Sequence, residues 1–583
     1  MAEEEHHIKS ETTEETPVPD EARDENTPAE KSRLDHLKEW YLERKKWTIP
    51  ATVILLVLLL AAVPWTRYTS VGLVHKRNFD VKIVDATAGT PVSGATVSIG
   101  SITAETSGTG VATLHGLKVG HHTLAISKKY YRSKTVGILA PILKQKTVSD
   151  VQLEATGRQV KVTIKNLINK KVLSDVDIEV AGITAKTDKD GVATIVLPAG
   201  VSEQKATLSL DGFNKADVTV KVSNDKVQEN DFNLTPAGKV YFLSKLSGKI
   251  DVVKTNLDGT DRQTVLAGTG KEDDSGTVLL ASRDWNYLAL LSRRAGDNAS
   301  LYLINTADDS LSNIDTGGAS FNLVGWSDDT FVYYVTRSNV QPWQPHAQAL
   351  KSFNAGTKQL LTLDQTNAQG SDQSNYAQEA YGQVYQIGKT VVYEKYWNAS
   401  YYNQAVLNDK QAGIYSIGAG GANAQTLKTF GYNAGQTTFI NSVPYQANQI
   451  YYSVTEKDAQ SYYAYASGKV TTKGNLEDDF NEYYQNRKTY LASPSGDITF
   501  WVEPRDGKNT LFIGDENGSN GKQIASLSDY SNYGWYTDNY LLVSKNSSEL
   551  YAMSKDGKNT VKISDYHKPQ LSYPGYGGGY GGI

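Results

Sequence analysis

The residue types that carry most protein chemistry are sparse in this chain or poorly spaced for it. There is no cysteine, which excludes disulfides, thiolate metal sites and cysteine nucleophiles together. Of nine histidines only His346 and His567 lie beyond residue 240, so the C-terminal part is not expected to hold a histidine base or metal cage. His115, His121 and His122 stand close together with no carboxylate or thiolate at a ligand spacing. Neighbours on a strand face opposite ways, so these three read as a surface group. Asp188-Lys189-Asp190-Gly191 opens like a calcium loop but lacks the downstream acid that completes one; Asp-Gly is a hairpin signal. The pairs Asp273/Asp274, Asp328/Asp329 and Asp478/Asp479 offer the two carboxylates that glycoside hydrolysis needs, yet adjacent acids are ordinary in turns. No Gly-x-Ser-x-Gly elbow, phosphate-binding glycine loop or His-Glu-x-x-His occurs. The expected catalytic, cofactor-binding and metal-ligating residues are none.

What remains is binding. Trp343 lies within QPWQPH, and Tyr396, Trp397, Tyr401 and Tyr402 lie within YEKYWNASYYN, with Tyr483 and Tyr484 further on. Exposed Tyr and Trp offer large rigid area with a polar handle, which suits protein hot spots or glycan stacking. The competing reading is that about half of these aromatics simply pack inside the fold. The long connection 354–390, rich in Asn, Gln, Ser and Ala, is the loop expected to overhang one face.

The elements that position these residues are of several kinds, because 583 residues exceed the ~250–300 that a single core sustains. A net charge of −5 argues against a nucleic-acid partner, which would demand a basic face. Tyrosine is the composition's outlier. Only Tyr41, Tyr68, Tyr130 and Tyr131 precede residue 240, so 36 − 4 = 32 follow it.

Residues 1–30, rich in Glu, Thr and Pro, read as a disordered acidic tail. Residues 31–46 place Leu34, Leu37, Trp40, Tyr41 and Arg44 at helical spacing, an amphipathic juxtamembrane helix suited to the inner leaflet or a partner. Trp47 to Trp65 is an uncharged run that would span about 28 Å as a helix. A single transmembrane helix is expected over 47–66. Arg44, Lys45 and Lys46 place the N-terminus in the cytoplasm and the bulk of the chain outside.

Past residue 78 short alternating strands take over. Ile102-Thr103-Ala104 and Gly110-Val111-Ala112-Thr113 return as Ile183-Thr184-Ala185 and Gly191-Val192-Ala193-Thr194, both 81 residues on, with Thr106 and Thr187 in step. Two separate words at one spacing make an internal repeat. The segments GTPVSGATVSIG and TAETSGTGVATLHGLKVGHHTLAISKKYY resemble carboxypeptidase-regulatory-like and PEGA-type modules over 79–156. The likeness is weaker over 159–236, where the Gly-Thr-Pro-Val start is missing. It implies two Ig-like β-sandwiches acting as rigid extracellular spacers or, less often, sugar-binding units, without catalysis.

From residue 238 a second pattern recurs. Val240-Tyr241-Phe242-Leu243, Tyr287-Leu288-Ala289-Leu290, Phe331-Val332-Tyr333-Tyr334, Val391-Val392-Tyr393, Ile450-Tyr451-Tyr452, Ile498-Thr499-Phe500-Trp501 and Tyr540-Leu541-Leu542-Val543 are short strands, each followed by a partner strand. Units of ~40–50 residues repeated in this way signal a β-propeller. Ser493-Pro494-Ser495-Gly496-Asp497 and Ser554-Lys555-Asp556-Gly557 resemble the turns of TolB-like or WD40-like (PD40) blades, although Ser327-Asp328-Asp329 departs from them. The count lies between six and eight blades, with seven preferred, over 238–573. Gln570-Leu571-Ser572-Tyr573 is expected to close the first blade, and 574–583 forms a Gly/Tyr-rich tail. The fold class is thus all-β outside the membrane: two sandwiches, then a seven-bladed propeller.

The expected function is non-enzymatic: a bacterial, single-pass cell-surface adhesin, receptor or scaffold. Its partners are the membrane and a protein or cell-wall glycan on the propeller face. The alternatives are an enzyme acting on polysaccharide or peptide through propeller carboxylates, and a component of an envelope complex held through residues 31–46.

Overall fold

The computed structural model describes residues 33–62, 76–86, 89–141, 150–198, 201–222, 227–316, 319–432, 438–456, 459–474, 477–485, 488–527, 530–546 and 548–565. The expected acidic tail, closing strand 570–573 and Gly/Tyr tail lie outside them.

Two helices come first, α1 (Arg33–Glu43) and α2 (Lys45–Ala62). The Thr48 hydroxyl donates to the Tyr41 carbonyl (2.6 Å) and the Tyr41 hydroxyl donates to Thr52 Oγ1 (2.7 Å), bracing the joint between them. Leu34, Leu37 and Trp40 are exposed on α1, and Val53 through Leu58 on α2 are each 55–62% exposed. Among the described residues no helix is long and apolar enough to cross a membrane. The physical reason is that α2 spends its first two positions on Lys45 and Lys46. Its uncharged part, Trp47 to Ala62, rises about 24 Å against a ~30 Å core. The expected span of 47–66 is not met by α2 itself, and residues 63–66 lie outside the described ones.

Each half of the 81-residue repeat folds into a three-stranded and a four-stranded sheet with the same strand order. In the first, Lys76–Asp85 sits between Val111–Lys118 (antiparallel) and Asp150–Leu153 (parallel). In the second, Arg158–Asn166 sits between Val192–Leu197 and Gln228–Leu234 in the same senses. The alternation Val160, Val162, Ile164 supplies inward side chains that are fully buried, as a strand with one covered face requires. The repeated threonines do the same work in each copy. Thr106 donates to the Val92 carbonyl (2.6 Å) and accepts from the Ala95 N–H (2.8 Å); Thr187 donates to Leu173 (2.7 Å) and accepts from Val176 (3.0 Å). The two units meet backbone to backbone. A Cβ on Gly94 would stand 2.4 Å from the Thr184 carbonyl oxygen, and one on Gly108 2.4 Å from that of Thr187. Lys128 Nζ caps this seam by donating to the carbonyls of Ser93 (2.7 Å), Gly94 (3.1 Å) and Thr184.

Seven antiparallel sheets then follow in sequence among the described residues, the blades of a β-propeller. Blade 1 has three strands (Val240–Ser244, Asp251–Thr255, Gln263–Leu266). Blades 2, 3, 5, 6 and 7 have four, starting at Val278–Ala281, Ala319–Ser327, Phe439–Gln446, Leu491–Ala492 and Tyr530–Thr537. Blade 4 has five: Ala368–Asp372, Asn375–Ile387, Thr390–Ala399, Gln411–Gly418 and Gln425–Gly431. Shared apolar clusters join blades 7, 1 and 2, then 2 to 3, 3 to 4, 4 to 5, and 6 to 7. Blade 5 meets blade 6 where the Ala447 N–H donates to the Asn517 carbonyl (3.1 Å). The ring is complete.

Blade 1 lacks an innermost strand among the described residues, and the indole of Trp285 in blade 2 reaches past it to donate to the Trp535 carbonyl in blade 7 (2.8 Å). The second sandwich docks on this seam. Asn166 Nδ2 donates to the Tyr540 hydroxyl (2.6 Å), the Tyr536 hydroxyl donates to the Ala237 carbonyl (2.7 Å), and Thr235 Oγ1 donates to Asp258 (2.6 Å).

One expectation is corrected outright. The connection 354–390 is not an overhanging loop but strand Gln359–Gln365 followed by the first two strands of blade 4. Its alternation is hidden because Ala377 and Glu379 take inward positions beside Tyr381, so apolar periodicity does not reveal it.

Candidate functional site

Blade 4 extends beyond its neighbours. Its hairpin of Asn375–Ile387 and Thr390–Ala399 is interrupted by a register shift between Tyr381 and Val384, then pairs onward to Ala377 opposite Ala399. Gly382 sits in the bulge because a Cβ there would meet Glu394 Oε2 at 2.5 Å. At the end of the extension the Ser400 hydroxyl donates to the Gln373 carbonyl (2.8 Å) and accepts from the Tyr402 N–H (3.3 Å). This fixes a turn that carries Tyr401 and Tyr402, 91% and 81% exposed. Their rings meet edge to face, 5.9 Å apart at 84°.

The other aromatic candidates stand differently. Tyr396 and Trp397 are half-buried and pack with Ala377, Leu407, Ala412 and Tyr432. The Trp397 N–H donates to the Tyr432 hydroxyl (2.7 Å), whose pKa burial raises to about 12. Lys410 Nζ lies 5.4 Å over the Trp397 ring. These two hold up the extension and present little surface. Trp343 is half-buried on blade 3. Tyr483 and Tyr484 fall in helix α3 (Glu477–Gln485), and their side chains lie outside the described residues.

Beneath the extension lie charges that sequence reasoning missed. Lys395 Nζ pairs with Asp364 (3.1 Å) of blade 3 and Glu379 (2.9 Å) of blade 4, and Lys395 and Glu379 are both buried. Burial lowers the lysine pKa, but the two carboxylates outweigh it and hold the ammonium charged. The Tyr381 hydroxyl donates to Asp364 (2.7 Å), which ties the two blades further. The available signal was Glu394-Lys395 set inside the otherwise apolar VVYEKYW.

Glu394 itself points the other way, toward blade 5. It is fully buried, accepts from the Ser442 hydroxyl and the Gln383 N–H (3.0 Å), and Ser442 lies 2.9 Å from the Tyr385 hydroxyl. Desolvation raises its pKa to about 7. The Tyr452 hydroxyl beside this group is buried without a hydrogen-bond partner among the described residues.

A cleft opens next to this cluster. Blade 6 begins with a strand of only two residues, Leu491–Ala492. The chain before it forms α3, whose Phe480 packs on Val443 and Tyr462 of blade 5. Beside the start of this strand is a cleft of about 380 Å³, open space included, lined by residues of blades 4 and 5 and by Lys488, Thr489 and Tyr490. Its walls are amide-rich and aromatic: Gln386, Gln446, Gln449, Tyr385 and Tyr490.

Of the paired acids, Asp273, Asp274 and Asp328 are occupied in local structure, while the Asp478 side chain lies outside the described residues. Asp273 accepts from the Ser275 and Gly276 N–H groups (3.0 and 2.6 Å), Asp274 pairs with Lys245 (2.5 Å) and Asp328 with Lys389 (3.1 Å). Burial, helped by Asp284 and Asp328, raises the pKa of Asp329. Among the described residues no group of His, Asp or Glu is arranged to hold a metal ion.

No family model and no curated protein matches this chain. Among solved structures it is similar to oligogalacturonate lyase from Vibrio parahaemolyticus (10% identity, TM-score 0.30, 56% of this chain and 85% of that one). It is also similar to the β-propeller domain of the Trilobed protease from Pyrococcus furiosus (11%, 0.32, 63% and 96%). A third is TolB from Acinetobacter baumannii (12%, 0.24, 54% and 74%). At such scores the likeness carries no mechanism; the propeller rests on the order of the seven sheets.

Proposed function

We propose that the protein is a membrane-attached, non-catalytic binding protein whose propeller engages a protein partner outside the cell. The observation that carries this reading is the pair Tyr401–Tyr402, exposed at the tip of blade 4 on an extension stiffened by Trp397, Tyr432 and Ser400. Exposed aromatics on a rigid mount bury large area at small entropic cost, which is how hot spots work. The uncovered apolar side chains of α2 support attachment to the membrane through the run that continues to Trp65.

Affinity capture from intact cells with the full chain, followed by cross-linking, tests the reading. Tyr401→Ala/Tyr402→Ala is expected to weaken capture at least tenfold, as for loss of a hot spot of roughly 2 kcal/mol or more, with an unchanged melt. Equal capture by both forms, or turnover of wall polysaccharide or peptide by the native chain, would overturn it. Protease shaving of intact cells is expected to remove the propeller; protection would refute the outward topology.

A further inference from the structure

We propose that the inner edge of the blade 1 strand Val240–Ser244 is a strand-docking groove, and that its occupant is residues 569–573 of the same chain, laid antiparallel as the fourth strand of the blade. The inference concerns how the ring is locked and stands independently of the partner surface on blade 4. Three observations lead to it.

The first is the groove. All five residues of Val240–Ser244 are buried, and among the described residues the strand pairs on one side only, with Asp251–Thr255. Its counterparts, Tyr287–Ser292 in blade 2 and Tyr540–Lys545 in blade 7, are buried along nearly their whole length and pair on both sides. A buried strand edge needs partners for its N–H and C=O groups. An extended backbone is what supplies them.

The second is delivery. The last strand of blade 7, Thr560–Asp565, ends against blade 1. Arg262 of blade 1 donates to Ser564 Oγ (2.6 Å) and pairs with Asp565 (3.4 Å), and the Ser244 hydroxyl donates to Asp565 (3.4 Å). The chain beyond Asp565 therefore enters next to the Ser244 end of the groove. This junction repeats the one between blades 6 and 7, for Gly259 sits against the Ile563 carbonyl as Gly557 sits against that of Ile524. From Ile524 the first strand of blade 7 begins 530 − 524 = 6 residues on, at Tyr530. The same step from Ile563 gives 563 + 6 = 569.

The third is the word found there. Pro569 stands at the first residue of a strand, where proline is tolerated. Gln570-Leu571-Ser572-Tyr573 then alternates, so that Leu571 and Tyr573 share one face. The first strand of blade 3 alternates likewise in Ser320-Phe321-Asn322-Leu323, where Phe321 and Leu323 are buried in the core shared with blade 2 and Ser320 is exposed. The register carries over as well. In blade 7 Ser531 lies opposite Ser544, and Ser544 opposite Leu550, which is 557 − 550 = 7 residues before Gly557. In blade 1 the residue 259 − 7 = 252 lies opposite Leu243. Ser531 is 7 residues past Ile524, and 563 + 7 = 570, so Gln570 falls opposite Leu243. The segment then runs toward Val240, and the residues after 573 leave the ring beside the second sandwich, which feeds that strand.

Because the chain has no cysteine, a disulfide scan tests this. Leu243→Cys is combined, in the full chain, with a cysteine at each of residues 569–573 in turn, and the dilute protein is oxidised and run on non-reducing gels. Directly opposed strand residues have Cα atoms ~4.5–5.5 Å apart, a span that a disulfide bridges. A bridge within one chain is expected, most complete with Gln570→Cys and falling away on both sides. In the chain without added cysteines, Leu571→Asp is expected to lower the melting temperature by roughly 5 °C or more, as a charge placed in a packed groove does, while Tyr580→Asp leaves it unchanged. No bridge at any of the five positions overturns the proposal. So does a bridge joining two chains, which would make the occupant a second copy's segment, or a melt as insensitive to Leu571→Asp as to Tyr580→Asp. If Leu571→Asp does not fold, the scan alone decides.

Discussion

At the scale of single residues, the most consequential group is Glu394, fully buried between blades 4 and 5 with Ser442 and the Gln383 N–H as partners. Desolvation lifts its pKa from 4.5 to about 7 in the folded chain. The folded state therefore binds the proton more tightly than the unfolded state. The stability this contributes is fully present below pH 4.5 and is lost as pH rises through about 7. The shift corresponds to about 3 kcal/mol. Glu394→Gln keeps an acceptor for Ser442 and removes the titration. Urea unfolding at pH 5 and pH 8 is expected to show the native chain losing stability relative to the variant, and parallel curves would refute the assignment. None of this was legible beforehand, because a glutamate in a strand word says nothing about which face it takes. The same limit divided the aromatic candidates. Tyr396, Trp397, Tyr401 and Tyr402 share one short word, yet the first two point into a small core and the last two ride the turn that Ser400 sets.

At the scale of elements, the repeat was readable because two words kept their spacing, and the equivalent hydrogen bonds of Thr106 and Thr187 explain why those words persist together. What the words could not disclose is that the two sandwich units press backbone against backbone. Gly94 is required twice over: its φ of +63° lies in the left-handed region, and a Cβ would stand 2.4 Å from the Thr184 carbonyl oxygen. Gly94→Val is expected to cost at least ~2 kcal/mol from backbone conformation and overpacking together. Limited proteolysis should then cut between residues 155 and 160, while the native chain resists there. Equal resistance would mean that the units are not held by this seam. Of the strand Asn375–Ile387 only Val384-Tyr385 reads as a strand in the sequence; the part before it escapes for the opposite reason, since its inward positions include Ala377 and Glu379 and its period is present in burial and absent in hydropathy.

At the scale of the whole molecule, seven second strands were legible because every blade must supply one well-buried strand, rich here in tyrosine and branched residues. The landing of the sandwich on the ring was not legible, for it depends on Asn166, Tyr536 and Tyr540, which are far apart in sequence and individually ordinary. That landing fixes how tension would travel. Blade 4 stands three blades from the seam in either direction, so a pull on Tyr402 against the stalk divides around the ring. One branch, through blades 3, 2 and 1, runs into the sandwich along the covalent chain. The other, through blades 5, 6 and 7, reaches it by non-covalent contacts: the hydrogen bonds of Asn166 and Tyr536 and the apolar cluster that takes in Ile168 with Tyr536 and Tyr540. The second branch yields first, and the propeller opens as a hinged link while the tether stays whole. A force ramp applied between residue 166 and residue 402 is expected to register release of blade 7 before any sandwich unfolds; the reverse order would refute it.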